Sequence, residues 1–440
     1  MKLDITRFFQ ACNPSKTLVI GKAEDRQYYI DFSQVRGAKV IDQLRRAIAR
    51  ISPEDPTCQL FTGHIGCGKS TELLRLKAEL EQEDFHVVYF ESSQSLDMED
   101  VDITDILLAI AGEVSKSLAA VKIDVKPGYF KNLFKEVSDL FTTPIDIDVE
   151  AELSLGVAKI NAKTRENDKS RSQVKQCLEP RTNGILDSIN QDIIQTAQEK
   201  LKQQGKKGLV IIVDGLDKIE NTLKPNNQFQ PEYLFAERGN NKLKGLKCHV
   251  VYTIPLVLVY SNALARLRDR FNGSPKVLPM VAAKQRDESD FTLGIKLLQK
   301  MIMVRAFPDS QINWDDWEDN QDLITQVFDS VDTLERLCKV SGGHLRSLLS
   351  LLYTCLQNDD LPITSDCLET VIRKECNILS LGIDNDEWQL LKDVSQTKSI
   401  AGHEEYNILI RDLFVFEYIE NDVSWFDINP ILQESPKFKS

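Results

Sequence analysis

No stretch of this chain holds about 18 consecutive apolar residues, and the mean hydropathy is −0.27, which argues against a membrane-spanning helix. The opening MKLDITRFFQACNPSK lacks the apolar core of roughly 7–15 residues that a secretory signal needs. Cysteine pairs are missing too. Nine cysteines stand singly, with no CxxC and an odd count, which argues against a disulfide framework or a zinc site and suits a reducing cytoplasm. Basic charge is in deficit: 54 Lys and Arg face 67 Asp and Glu, a net charge of −13. A surface built to neutralise phosphate backbones carries the opposite balance, so DNA is disfavoured as a partner. Repeats and low-complexity tracts are absent. The five histidines are isolated, and no Cys/His nucleophilic pairing marks a nuclease or protease.

What is present is a rhythm. The 440 residues suffice for two or three domains. From about residue 40 to 280, short β-branched apolar runs alternate with amphipathic helices, the pattern of a parallel sheet covered by helices. Strands are expected at CQLFTG (58–63), HVVYFES (86–92), GLVIIVDG (208–215), CHVVYTIP (248–255) and KVLPMV (276–281). Helical stripes run through Ile41, Leu44, Ile48 and Ile51, through Leu73, Leu76 and Leu80, and from Ile185 to Leu201, where Gly205 stops the last. The connection over 125–180 is longer than a usual crossover. Within it, IDIDVEAELSLGV alternates Ile145, Ile147, Val149, Ala151, Leu153 and Leu155 with Asp146, Asp148, Glu150 and Glu152, which predicts a β-hairpin. Such a hairpin is either a solvated flap or a docking edge. After residue 285 the pattern turns helical, and the chain ends in LFVFEYIENDVSWFDI, two apolar strands around a turn, which suggests a winged helix.

The segment Gly63-His64-Ile65-Gly66-Cys67-Gly68-Lys69-Ser70-Thr71 fits GxxxxGK[ST], placed after a strand and opening a helix. Without Cβ atoms its backbone N–H groups can converge on phosphates, aided by the helix N-terminus. Lys69 is placed to reach the β- and γ-phosphates, and the Ser70 hydroxyl to ligate Mg²⁺. LVIIVDGLDK delivers Asp214 to a strand end, where a carboxylate can hold Mg²⁺ through water. Where many ATPases carry Glu after that Asp, this chain has Gly215. The water-activating base is then Asp217, which shares the turn with Asp214, or Glu91 at the end of the second strand. Lys218 can lower the basicity of Asp217 by pairing with it. Thr253 ends the fourth strand, as a γ-phosphate sensor or an ordinary strand-end threonine. Arg266, Arg268 and Arg270 form either a solvated face or an arginine finger for a neighbouring subunit. Arg346 in SGGHLRSLL is a lid arginine candidate.

Together GHIGCGKST, VIIVDGLDK, Thr253 and GGHLR resemble the AAA+ and STAND class of P-loop ATPases over residues 30–440. DGLDK is similar to the DGLDE of signalling members, with Lys218 in place of Glu. FSQVRGAKVIDQLRRAI resembles the segment that contacts adenine in such families, with Arg36-Gly37 in place of Gly-Arg, which makes Val35, Arg36 and Tyr29 adenine-pocket candidates. GGHLR is nearer the AAA+ sensor arginine than the Gly-x-Pro of signalling members, so the subclass stays open. The resemblance implies an α/β fold: a P-loop NTPase parallel sheet (ASCE-type), a helical lid and a C-terminal winged-helix domain. The domains would be 1–283, 284–358 and 359–440, with the insertion in the first. It further implies ATP and Mg²⁺ as cofactors and slow or assembly-gated ATP hydrolysis. A homo-oligomer that controls a separately encoded effector, in prokaryotic antiviral defence, completes what it implies. A DNA-acting AAA+ ATPase, such as a replication initiator or transposition regulator, is the alternative. Charge opposes it: from residue 356 onward seven Lys/Arg face seventeen Asp/Glu.

Overall fold

The computed structural model describes residues 2–439 apart from 126–127, 141–152, 167, 225–227, 239, 309–311, 315–316, 318 and 401–403. The chain forms two compact units. The first comprises Met1–Val40, Gly63–Arg75 and Val277–Ser440; the second comprises Ile41–Thr62 and Leu76–Lys276. The segments expected as lid and winged helix, 284–358 and 359–440, both fall in the first unit, as does the glycine-rich loop.

The strands are β1 (Cys58–Gly63), β2 (Phe85–Glu91), β3 (Gly208–Asp214), β4 (His249–Thr253) and β5 (Lys276–Leu278), in the order β2-β3-β4-β1-β5. The sheet is parallel: Phe61 pairs with Thr253, Val213 with Tyr252, and Glu91 with Asp214. All seven residues of β3 are buried, as expected for a strand covered on both faces. In this order β4 separates β1 from β3, and the carboxyl ends of β2, β3 and β4 lie side by side. The loop after β1 leads into helix α1 (Lys69–Gln82), on which Leu73, Leu76 and Leu80 are buried.

Helix α2 (Ile103–Ala120), opened by a capping box between Asp102 and Asp105, supplies much of the second unit's core. Within the 125–180 connection the described residues are helical, which corrects part of the strand expectation. Leu153 and Leu155 lie in helix α3 (Leu153–Glu166), and residues 145–152 of the expected hairpin fall outside the described residues. The reason is helical spacing: Leu153, Val157 and Ile160 are buried on one stripe while Leu155 is half exposed. Ile51 also departs from its expected stripe. It is 74% exposed, at the end of a π-type turn over Ala47–Ile51.

The first unit is mostly helical. Helices Thr292–Ala306, Val331–Val340, α4 (Leu345–Asn358) and Ser365–Leu381 share a core with Phe8, Cys12, Phe32, Val35 and Ile431. Asn385–Thr397 and Glu404–Arg411 precede an antiparallel hairpin of β6 (Val415–Glu420) and β7 (Val423–Ile428). Its turn residues Asn421 and Asp422 both have positive φ, which suits a two-residue hairpin turn.

Candidate functional site

In the first unit the glycine-rich loop is closed on itself and on its neighbours. Lys69 is buried, and its ammonium donates to the carbonyls of Gly63 (2.8 Å) and His64 (2.9 Å). Gly66 sits at φ +89°, and a Cβ there would lie 2.6 Å from His344 Nε2 and 2.8 Å from Arg346 Cβ. Only glycine tolerates both the conformation and the approach. The turn before α4 is therefore seated directly on the loop. The Arg346 backbone N–H donates to the Gly66 carbonyl (3.2 Å), while the Arg346 side chain is exposed.

Two histidines complete the clasp. His344 Nε2 contacts the Ile65 carbonyl at 2.7 Å, and its Nδ1 lies 2.7 Å from Ser347 Oγ. A carbonyl can only accept, so Nε2 carries the proton and Nδ1 accepts from the hydroxyl. His64 has the opposite tautomer, because its Nε2 accepts the Glu417 N–H of β6 at 2.9 Å. Both rings pack against Phe416, with centroids at 5.8 Å and 5.5 Å. Burial, reinforced by His344 and Lys69, lowers the His64 pKa to about 3; burial, with Arg346 and Lys69, lowers that of His344 to about 4. Both rings are neutral at physiological pH.

The adenine candidates are held as follows. Arg36 is buried and donates to the carbonyls of Pro279 and Cys67, the latter at 2.7 Å, so its guanidinium braces the loop from beneath. Val35 belongs to the unit's core. The Tyr29 hydroxyl donates to Glu72 Oε1 (3.1 Å) and accepts from Arg75 (3.0 Å), which ties it to α1. Cys67 is fully buried, whereas Ile65, Ser70 and Thr71 are half-buried.

The remaining candidates lie in the second unit. Asp214 is 1% exposed; its Oδ2 accepts from the Tyr89 hydroxyl and its Oδ1 from the Gly215 N–H, both at 2.7 Å. Gly215 has φ +86°, and a Cβ there would meet Glu91 Oε1 at 2.5 Å, which explains glycine where other ATPases carry a side chain. Lys218 pairs with Glu91 at 2.7 Å, a correction to the expected pairing with Asp217: the short turn Leu216–Lys218 carries the lysine back over β2. Glu91 also accepts from Ser93, so it is engaged on both oxygens, while Asp217 is buried in the turn. Thr253 is fully buried, accepting from Leu216 N (3.0 Å) and donating to Val213 O (3.3 Å). It holds the turn after β3 in place. Arg266 and Arg270 pair with Glu237, at 2.7 Å and 3.7 Å, and Arg268 is exposed on the same helix, Leu264–Phe271. Tyr89 and His344 were not expected from the sequence, and His64 was expected only as part of the phosphate-binding segment. Tyr89 carries a usable signal, since it lies two residues before Glu91 on a strand beside β3.

For Mg²⁺ the chemistry fits. Asp214 is a buried carboxylate with donors fixed to both oxygens, the hard-oxygen type that Mg²⁺ takes together with water and phosphate. Among the described residues there is no group of three or more His, Cys, Asp or Glu that could hold a metal ion.

The sheet and its loop define a P-loop NTPase fold. Residues 38–224 match the KAP family P-loop domain. Among solved structures the chain is similar to a Walker-type ATPase of Pyrococcus abyssi, at 10% identity and a TM-score of 0.45, covering 96% of this chain and 98% of that one. It is also similar to the Aeropyrum pernix ORC2 protein in ADPNP–ADP complexes, at 12% identity and a TM-score of 0.39, covering 96% and 95%. Pyrobaculum aerophilum Cdc6p gives 11% identity and a TM-score of 0.37, covering 94% and 97%. No curated protein sequence matches the chain. Among the described residues no helix is long and apolar enough to cross a membrane.

Proposed function

We propose that this chain is an ATP-binding, slowly hydrolysing molecular switch, with residues 63–71 as the phosphate cradle and Ser70 and Asp214 as Mg²⁺ ligands. The observation that carries it is the clasp: the loop meant for phosphates is also the seat of the turn before α4 and of β6, through His344, Arg346 and His64. A phosphate that draws Lys69 off the Gly63 and His64 carbonyls changes the surface on which both rest. Nucleotide occupancy is thereby read by the helical and winged segments without any catalytic event. The engaged state of Glu91, and the absence of a carboxylate at Gly215, support slow turnover with Asp217 as the base. We further propose that the opened form self-assembles and controls a separately encoded partner, a reading that rests on the family resemblance and extends to a defence setting.

The test is a fluorescent-ATP titration of the wild type and Lys69→Ala, followed by light scattering with a non-hydrolysable analogue. Binding and assembly should both vanish in the variant. An unaltered variant refutes the cradle, and salt-sensitive duplex DNA binding at physiological ionic strength refutes the switch in favour of a DNA-acting ATPase.

A further inference from the structure

We infer that Tyr89 is a positioning residue for the Mg²⁺-ligating carboxylate of Asp214, an inference that rests on the reading of Asp214 as a Mg²⁺ ligand. The geometry is specific. Tyr89 lies on β2 opposite Ile212 of β3, and its phenol extends toward the strand end to donate to Asp214 Oδ2 at 2.7 Å. The Gly215 N–H fixes Oδ1 from the other side at the same distance. A donor on each oxygen opposes rotation of the carboxylate about its Cβ–Cγ bond.

The surroundings exclude the obvious substitutes. Glu91, which pairs with Asp214 in the strand register, is held by Lys218 and Ser93. Its charge is thereby drawn onto a lysine instead of competing for the cation. Thr253 is committed to the backbone at Leu216 and Val213. The phenol donates directly to Asp214, and as a neutral donor it orients the carboxylate without contributing a charge that would repel a divalent cation. Outer-shell donors of this kind characteristically change metal affinity by about 10–100-fold.

The full-length protein tests this with Mn²⁺ in place of Mg²⁺, its binding followed by loss of the free-ion EPR signal in the presence of a non-hydrolysable ATP analogue. Tyr89→Phe keeps the ring and removes the donor. It should weaken Mn²⁺ binding by about 10–100-fold and leave nucleotide affinity in EDTA unchanged. Tyr252→Phe, which removes the hydroxyl donated to Leu243 O at 3.0 Å in the same unit, is the structural control and should leave Mn²⁺ affinity unchanged. Mn²⁺ affinity in Tyr89→Phe within twofold of the wild type overturns the inference. So does a Tyr89→Phe protein that fails to fold, or an equal loss in Tyr252→Phe, because either makes the phenol merely structural. Asp214→Asn separates the two levels of argument: if it leaves Mn²⁺ affinity intact, the metal-ligand reading itself falls, whatever Tyr89→Phe does.

Discussion

Acid should open the clasp, and the size of the effect follows from the two histidines. A histidine that titrates near 6.5 when unfolded, but at about 3 (His64) or about 4 (His344) when folded, takes up its proton preferentially in the unfolded chain. Its stabilisation is complete above pH 6.5 and is lost as pH falls from there toward the folded value. Between pH 7.5 and 5.0 the loss is about 2 kcal/mol per histidine, since each unit of separation is worth about 1.4 kcal/mol. The charges facing these rings, Lys69 and Arg346, add to the penalty, because each repels a second proton-borne charge. The assay is urea unfolding followed by tryptophan fluorescence. All four tryptophans (314, 317, 388 and 425) lie in the first unit, so the signal reports the unit that holds the clasp. Asp105, raised to about 6 by burial, titrates in the same window with the opposite sign, but it belongs to the second unit. His64→Gln keeps an acceptor for the Glu417 N–H and removes the titration. The wild type should lose about 2 kcal/mol more than this variant over that pH interval. Parallel curves for the two proteins would refute the assignment of a buried, neutral His64.

Asp427 is fully buried between Lys284 and Lys398, the latter at 2.9 Å. Asp427→Ala leaves both ammonium groups with only their shared partner Glu288 and should destabilise the first unit in the same fluorescence assay, by less than the roughly 3–5 kcal/mol of a wholly unpaired buried charge. Asp217→Ala should slow phosphate release by about 10²–10⁴-fold and spare fluorescent-ATP binding. Retained turnover in that variant assigns the base to Glu91, which Glu91→Gln then checks.

The sheet was legible because its strands are buried on both faces. The centres of β3 and β4, LVIIV and VVY, are apolar without interruption, and such runs between turn residues suit internal parallel strands. The loop was legible because its residue types are dictated by phosphate geometry, and the pattern is contiguous. Leu153–Glu166 was misread at its start because the alternation of Leu153 and Leu155 with polar neighbours matches period two. The stripe Leu153–Val157–Ile160, which decides the matter, becomes visible only when the window is carried further. Lys218 was misassigned for a related reason. Its nearest acid in sequence is Asp217, but the turn directs its ammonium to Glu91, 127 residues away.

The histidines show where sequence reading stops. His64 meets its partner 353 residues along the chain, and His344 meets Ile65 across 279. His64 stands inside the glycine-rich loop and His344 inside GGHLR, but neither motif tells which distant backbone group the imidazole meets. Their burial is what gives them meaning. An imidazole in water has no fixed tautomer, whereas here a carbonyl on one ring and an N–H on the other impose opposite tautomers, and Phe416 holds both rings at once. Each bond depends on the backbone conformation of residues 63–66, which contain two of the glycines with positive φ. Gly66 leaves room for His344 and Arg346, and Gly63 leaves room for Leu278 and Cys67, so both glycines are required by packing as well as by the proposed approach of phosphate. A side chain at Gly66 would fail the packing requirement even in a protein that met the phosphate one. The loop proposed to hold phosphate is thus also a mechanical part of the segments that rest on it.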